Sequence, residues 1–179
     1  MRKLALAVAA SAVLSGCLPV SVLRTPEPVN GSSVSVGLSG VVGTGGEGGV
    51  LPYLAFARGD GETEFNASAQ LGVRAGVKQR LEPGLSLDAG LTLPYVLFVP
   101  GTVGIPVVVD VGLLAGLEAF YLSPRVQWIG FSVDGQAVSG WVYQLTGGYA
   151  FPGFVLELSY LGSFQGGGGL FSLSAAMRL

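Results

Sequence analysis

The sequence predicts an all-β fold: an antiparallel up-and-down meander closed into a membrane β-barrel of eight to ten strands. Three observations carry this. Apolar side chains alternate with polar ones or Gly in run after run, clusters of Gly, Pro and Asp separate the runs, and only 11% of the 179 residues are charged although 50% are hydrophobic. A soluble domain ordinarily carries roughly 25% charged residues. The apolar content excludes disorder. A helical membrane protein would need about 18 consecutive apolar residues, and after the N-terminus every apolar stretch is interrupted by Gly, Ser, Thr or a charge.

The first residues, "MRKLALAVAASAVLSGC", place Arg2 and Lys3 before a short apolar run, Leu4 to Leu14. This is the layout of a secretory signal, too short to span a bilayer. Leu14-Ser15-Gly16-Cys17 resembles the lipobox of bacterial lipoproteins and contains the chain's single Cys. The resemblance implies lipidation of the Cys17 thiol, cleavage before it and acylation of the new amino terminus. A single Cys permits no internal disulfide. Leu18 follows Cys17, where the inner-membrane retention signal of enterobacterial lipoproteins has Asp, so the resemblance points to the outer membrane. Losing Arg2 and Lys3 takes nine basic residues to seven against eleven acids, a mature charge of about −4. With no basic run, nucleic acid is excluded as a partner. Membrane lipid is the partner this implies; the sequence names no protein partner.

Residues 17–32 form the lipidated N-terminus and a linker, "RTPEPVNGSS", with a short candidate strand at 19–24, and 33–179 form the barrel. Eight turn signals follow: 43–49, 58–62, 80–84, 99–104, 122–125, 133–136, 151–153 and 165–169, each holding Gly, Pro or Asp. These residues supply the backbone angles and side-chain hydrogen bonds that tight turns need.

Between the turns the faces separate cleanly. In "FNASAQLGVRAGVK", 65–78, every odd position is apolar and every even one polar or Gly. Leu85, Leu87, Ala89, Leu91, Leu93 and Tyr95 share a face; so do the apolar residues at odd positions from Val107 to Tyr121. Phe154, Leu156, Leu158 and Tyr160 oppose Glu157 and Ser159, and Phe171, Leu173, Ala175, Met177 and Leu179 oppose Ser172, Ser174 and Arg178. A period of two fixes such faces. The polar face is mostly Gly, Ser, Thr, Gln and Asn with few charges, which suits a narrow polar lumen better than contact with water. Arg74, Lys78, Asp88, Asp110, Glu118, Glu157 and Arg178 are then candidates for a paired charge network inside it.

Tyr53, Phe65, Tyr95, Phe98, Tyr121, Tyr149, Phe151, Phe154, Phe164 and Phe171 lie near run ends, as interfacial aromatics of a membrane barrel do. Eight turns make nine strands, whereas bacterial barrels have even numbers. Either one turn is false and the count is eight, or residues 19–24 cross first and the count is ten, which is favoured. Over 33–179 the meander resembles the OmpA- and OmpX-like outer-membrane barrels. The chain end "FSLSAAMRL" resembles the terminal strand that such barrels present to the outer-membrane assembly machinery, ending in Leu179 where Phe is usual.

The chain contains no His, which removes the commonest general base, nucleophile partner and metal ligand. No catalytic residues, metal site or cofactor follow from the remaining motifs. Asp110 and Glu118 would lie about 26 Å apart on one strand. The stretches "GTGGEGG" and "QGGGGL" lack the Lys-Ser/Thr of a phosphate loop and read as turns. The leading expectation is a lipid-anchored outer-membrane barrel with a structural or surface-interaction role and no large pore. The alternative is a lipid-tethered soluble barrel resembling the lipocalins, holding a hydrophobic ligand in the periplasm. The two differ in which face of the wall is dry.

Overall fold

The computed structural model describes residues 19–95, 106–133 and 136–179, without the side chains of 131–138. The expected signal peptide, Cys17, Phe98, and the turn signals at 99–104 and at Asp134-Gly135 lie outside the described residues. Ten strands follow one another: β1 (Asn30–Gly43), β2 (Gly48–Asp60), β3 (Thr63–Ala69), β4 (Gly72–Glu82), β5 (Leu85–Pro94), β6 (Val107–Leu117), β7 (Phe120–Val133), β8 (Gln136–Phe151), β9 (Phe154–Ser163) and β10 (Leu170–Arg178). Each pairs antiparallel with its neighbours in sequence, and β1 pairs with β10 to close the ring. Closure leaves no edge strand with unpaired backbone.

The dry face is the polar one. Leu38, Val73, Leu158 and Leu173 are half-exposed or more on the outside, while Ser39, Asp88, Thr146 and Glu157 are buried within. The lipocalin-like alternative is thereby overturned, because it needs the Leu/Val/Ala face to line a cavity and the polar face to meet water.

The strand count is ten, but the tenth strand is not 19–24, and two turns fall elsewhere than expected. The run 65–78 is a hairpin: Phe65 pairs with Val77, Ala67 with Ala75 and Ala69 with Val73, around a reversal at Gln70-Leu71. Odd residues pair with odd ones, so both arms keep the same alternation and the reversal leaves no break in it. The reversal expected at 122–125 lies instead at Glu118-Ala119. Ser123 and Pro124 sit within β7, where the β6–β7 register skips from Gly112↔Arg125 to Ala115↔Leu122. A residue without an N–H is tolerated at such a break in a ladder. Here odd pairs with even, Val109 with Trp128, so the faces exchange parity. Tyr121 consequently points inward and is buried, as does Tyr53, rather than joining an aromatic belt.

The barrel has two unlike ends. At one, here the turn end, the chain reverses at 61–62, 83–84, 118–119 and 152–153, beside the start of β1 and the end of β10. At the other, the loop end, lie the connections 44–47, 70–71, 95–106, 134–135 and 164–169.

Residues 19–29 contain no strand; they run irregularly through the lumen, with Val20, Ser21, Val22, Leu23 and Arg24 all buried. With β1 already paired to β10, the ring closes without them. Their backbone is satisfied by side chains of the wall instead, as buried amides must be. Val20 N–H donates to Gln70 Oε1 (3.2 Å) and Val22 N–H to Glu157 Oε2 (2.8 Å). The Val20 carbonyl accepts from Gln144 Nε2 (3.1 Å) and Ser172 Oγ (2.7 Å), and the Val22 carbonyl from the Tyr53 hydroxyl (3.1 Å).

Candidate functional site

The lumen is where the sequence concentrates its unusual chemistry, and the strand parity puts it there. Arg74 on β4, Asp88 on β5, Asp110 on β6 and Arg125 on β7 all occupy inward positions and are buried. Arg74 donates from Nε to Asp110 Oδ2 (2.8 Å), from Nη2 to Asp110 Oδ1 (2.7 Å) and Asp88 Oδ2 (2.9 Å), and from Nη1 to Asn66 Oδ1 (2.9 Å). Arg125 bonds Asp110 through Nη1 and Asp88 Oδ2 through Nη2 (2.5 Å). Arg24, from the luminal segment, completes the cluster at 3.4 Å from Asp88 Oδ1. Each carboxylate thus has two or three guanidinium partners, the arrangement that makes buried charge tolerable.

Small residues make room for these side chains. A Cβ on Gly90 would lie 2.4 Å from Arg74 Cζ, and one on Gly112 would lie 3.1 Å from Arg125 Nε. Gly90 and Gly112 therefore act as seats for arginine rather than as backbone hinges.

Two further groups hold the segment. Toward the turn end, Lys78 Nζ lies 2.8 Å from Glu64 Oε2 and donates to the carbonyls of Thr25 (3.0 Å) and Glu27 (3.2 Å), while Glu64 Oε2 accepts from Val29 N–H (3.0 Å). Arg178, half-buried, donates to Thr25 Oγ1 (2.8 Å). Nearer the middle, Glu157 accepts from the Tyr121 hydroxyl (2.5 Å) as well as from Val22 N–H. At the loop end the lumen turns apolar, with Val108, Ile129, Val142 and Leu161 packed together and against Leu170.

Of the candidate network residues, Arg74, Lys78, Asp88, Asp110 and Glu157 lie buried in the lumen and Arg178 lies half-buried. Glu118 does not belong with them. It sits exposed in the β6–β7 turn with φ 57°, because the chain reverses there instead of continuing to Tyr121. Arg24, Glu64, Tyr121 and Arg125 belong to the luminal contacts although sequence reasoning does not place them there. Glu64 could have been found, since it continues the even-numbered polar face by one position; Arg125 was hidden by the apparent turn "LSPR", and nothing local marks Arg24.

Among the described residues, the buried wall charges are Arg74, Lys78 and Arg125 against Glu64, Asp88, Asp110 and Glu157. Arg24 brings the count to four against four. Beside Arg24, Arg74 and Asp88 there remains a space of about 10 Å³, room for about one water. Among the described residues no group of three His, Cys, Asp or Glu could hold a metal ion. Outside the lumen, Arg80 bonds the exposed carboxylate of Glu62 in the β2–β3 turn and holds it below the usual carboxylate range. What the luminal arrangement does chemically is to neutralise charge and clamp residues 19–29.

No protein-family model matches the chain, and no curated protein matches it. Several solved structures are similar to it. A chain described as "De novo design of transmembrane beta-barrels" shares 13% identity over 88% of this chain and 100% of its own, with a TM-score of 0.39. The P. putida toluene transporter TodX shares 12% over 80% of this chain and 67% of its own, TM-score 0.39. Neisserial surface protein A (NspA) shares 15% over 83% and 96%, TM-score 0.36. Similarity this slight supports no conclusion about what this chain does, which rests on its own geometry.

Proposed function

We propose that this protein is an integral outer-membrane β-barrel, anchored by lipid on Cys17 and sealed by its own N-terminal segment, with a structural or surface-interaction role and no catalytic activity. The observation that carries the reading is the inversion of the wall: side chains such as Leu38, Val50, Phe65, Leu158 and Leu173 are each more than half exposed outside, while among the described residues eight charged side chains are buried inside. A monomeric soluble protein rarely exposes contiguous apolar surface beyond a few hundred Å². In a bilayer the same surface is matched to its solvent, and a closed ring of strands presents no free edge strand to hydrocarbon.

Strand length and aromatic placement support the reading. A tilted membrane strand needs about 9–11 residues, and β5 and β9 have ten each. Phe120, Tyr149, Phe151 and Phe154 touch one another near the turn end, and Tyr143, Tyr160, Phe164 and Phe171 near the loop end. Such belts mark the two interfaces of a membrane barrel. The filled lumen argues against flux of large solutes, and the absence of His in the chain against acid–base catalysis. The C-terminal strand is the segment that the outer-membrane assembly machinery would engage.

The test is extraction of native membranes with alkaline carbonate and urea, then electrophoresis with and without boiling. Retention with a heat-dependent mobility shift is expected. Release of a folded soluble protein by Cys17→Ser alone would overturn the integral-barrel reading, and an N-terminal peptide without acyl mass would overturn the anchor.

A further inference from the structure

The luminal segment has a direction. Traced backwards from β1, it begins at the turn end, where Gly61 N–H donates to the Val29 carbonyl (3.0 Å). It passes Glu157 at Val22, and at Val20 it meets Gln70, Gln144 and Ser172, the last only two residues into β10 from the loop end. Pro19 shares a small space with Gln70, Leu71, Gly72 and Thr92, the β3–β4 reversal and its neighbour on β5. The chain has by then crossed most of the barrel. Cys17 is two residues further along the chain, so its reach from Pro19 is about 7 Å at most.

Among the described strands the wall is shortest at this point. β3 has 7 residues against 13 in β2, and β2 pairs with it only from Leu54 to Gly59. Residues 48–53 of β2 consequently have no β3 residue beside them, whereas β7 and β8 continue for 14 and 16 residues. On the outer wall at this step lies an apolar groove of about 540 Å³ lined by Leu38, Pro52, Leu54, Ala69, Gln70 and Tyr95. Ligand sites span about 300–1,000 Å³. Gln70 belongs to both sides: it accepts from Val20 and donates to Ser21 (3.2 Å) and Ser39 (2.8 Å) within, and it lines the groove without.

The geometry points to this groove as the seat of an acyl chain of the Cys17 lipid, placed in the leaflet on the loop side, opposite the mouth that holds the C-terminus. This rests on the reading of Cys17 as lipidated. With short turns facing the periplasm, as in outer-membrane barrels, the loop-side leaflet is the outer one, and the lipid is displayed at the cell surface. A conventional inner-leaflet anchor would require the segment to leave by the turn end. A lipid of two or more chains does not pass through a filled lumen, so the wall closes around the segment during assembly.

Two measurements on the full-length protein in native membranes test this. Cells are fed a palmitate analogue carrying a diazirine, irradiated, and the protein digested; cross-linked peptide pairs containing Cys17 are located by fragmentation. The second site is expected at Leu38, Pro52, Leu54 or Tyr95. A second site at the turn end, such as Leu81, Leu117 or Phe151, or attachment of the acylated Cys17 peptide to membrane lipid alone, overturns the proposal. A Cys17 peptide without acyl mass overturns the anchor reading itself and is distinguishable from both. The path through the lumen is read separately: Ser21 Oγ and Ser39 Oγ are 3.1 Å apart, so the Ser21→Cys, Ser39→Cys double variant forms a disulfide in the membrane-embedded protein. A double variant that keeps its heat-dependent mobility yet forms no such disulfide overturns the threading.

Discussion

Arg74 and Asp110 are joined by two hydrogen bonds, 2.8 and 2.7 Å long, although they stand on β4 and β6 with β5 between them. The guanidinium spans the intervening strand because Gly90, paired with Gly76 on one side and Asp110 on the other, has no side chain. A two-strand reach of this kind ties three strands together through one ion pair and fixes their register from within.

Gly90→Ala should therefore act as a charge mutation. Its methyl group would occupy the position of the Arg74 guanidinium and leave Asp110 with Arg125 alone. Breaking a buried pair costs about 3–5 kcal/mol, an upper limit here because one partner remains. Urea unfolding of the detergent-solubilised barrel should show a lowered midpoint; unchanged stability would mean that the Arg74 bridge contributes little.

The luminal segment should act as a plug. In planar bilayers the intact protein should be silent, and a variant lacking residues 20–28 should conduct. The wall carries four buried carboxylates against three buried basic side chains among the described residues, with Arg178 half-buried at the turn-end mouth, so the interior beyond that mouth has an acidic excess, which favours cations. Anion-selective current from the deletion variant, or current from the intact protein, would contradict the charge count or the seal.

Leu158 and Leu173 lie on neighbouring strands of the outer wall, directly paired. Replacing either by Arg should cost about 2–4 kcal/mol near the bilayer midplane, read as loss of insertion into lipid vesicles. On a wall facing water an exposed substitution would change stability by about 0.5 kcal/mol or less.

Tyr121→Phe removes the hydroxyl that donates to Glu157 while Val22 N–H remains. A hydrogen bond to a charged group contributes about 1.5–3 kcal/mol. The expected outcome is a lowered unfolding temperature by heat-dependent mobility, with the barrel still closed. Phe at position 121 matching wild-type Tyr would show that the segment's backbone alone satisfies Glu157.

Much of the wall was legible along the chain. Leu85 to Leu93 against Ser86 to Thr92, and Phe154 to Tyr160 against Glu157 and Ser159, sort into two faces by alternation alone, and the poverty of charge on the polar face indicated which one is shut away from water. Asp88, Asp110 and Glu157 fall to the lumen on that basis. The reversals were less legible, for a physical reason that two turns illustrate. A hairpin pairing odd with odd, as at Gln70-Leu71, preserves the alternation and hides itself. One pairing odd with even, as at Glu118-Ala119, exchanges the faces and moves Tyr121 from the expected outer belt to the interior.

By itself, then, the sequence determined a strand-built wall with one apolar and one polar face, because alternation is a property of each strand alone. Only the tertiary structure decided what fills the lumen. Residues 19–24 read along the chain as a short strand, yet the amides and carbonyls of this segment find side-chain partners such as Glu157, 135 positions from Val22, and Ser172, 152 from Val20. Those partners converge only when β1 meets β10 and the ring closes, which brings side chains distant in sequence around a single buried segment.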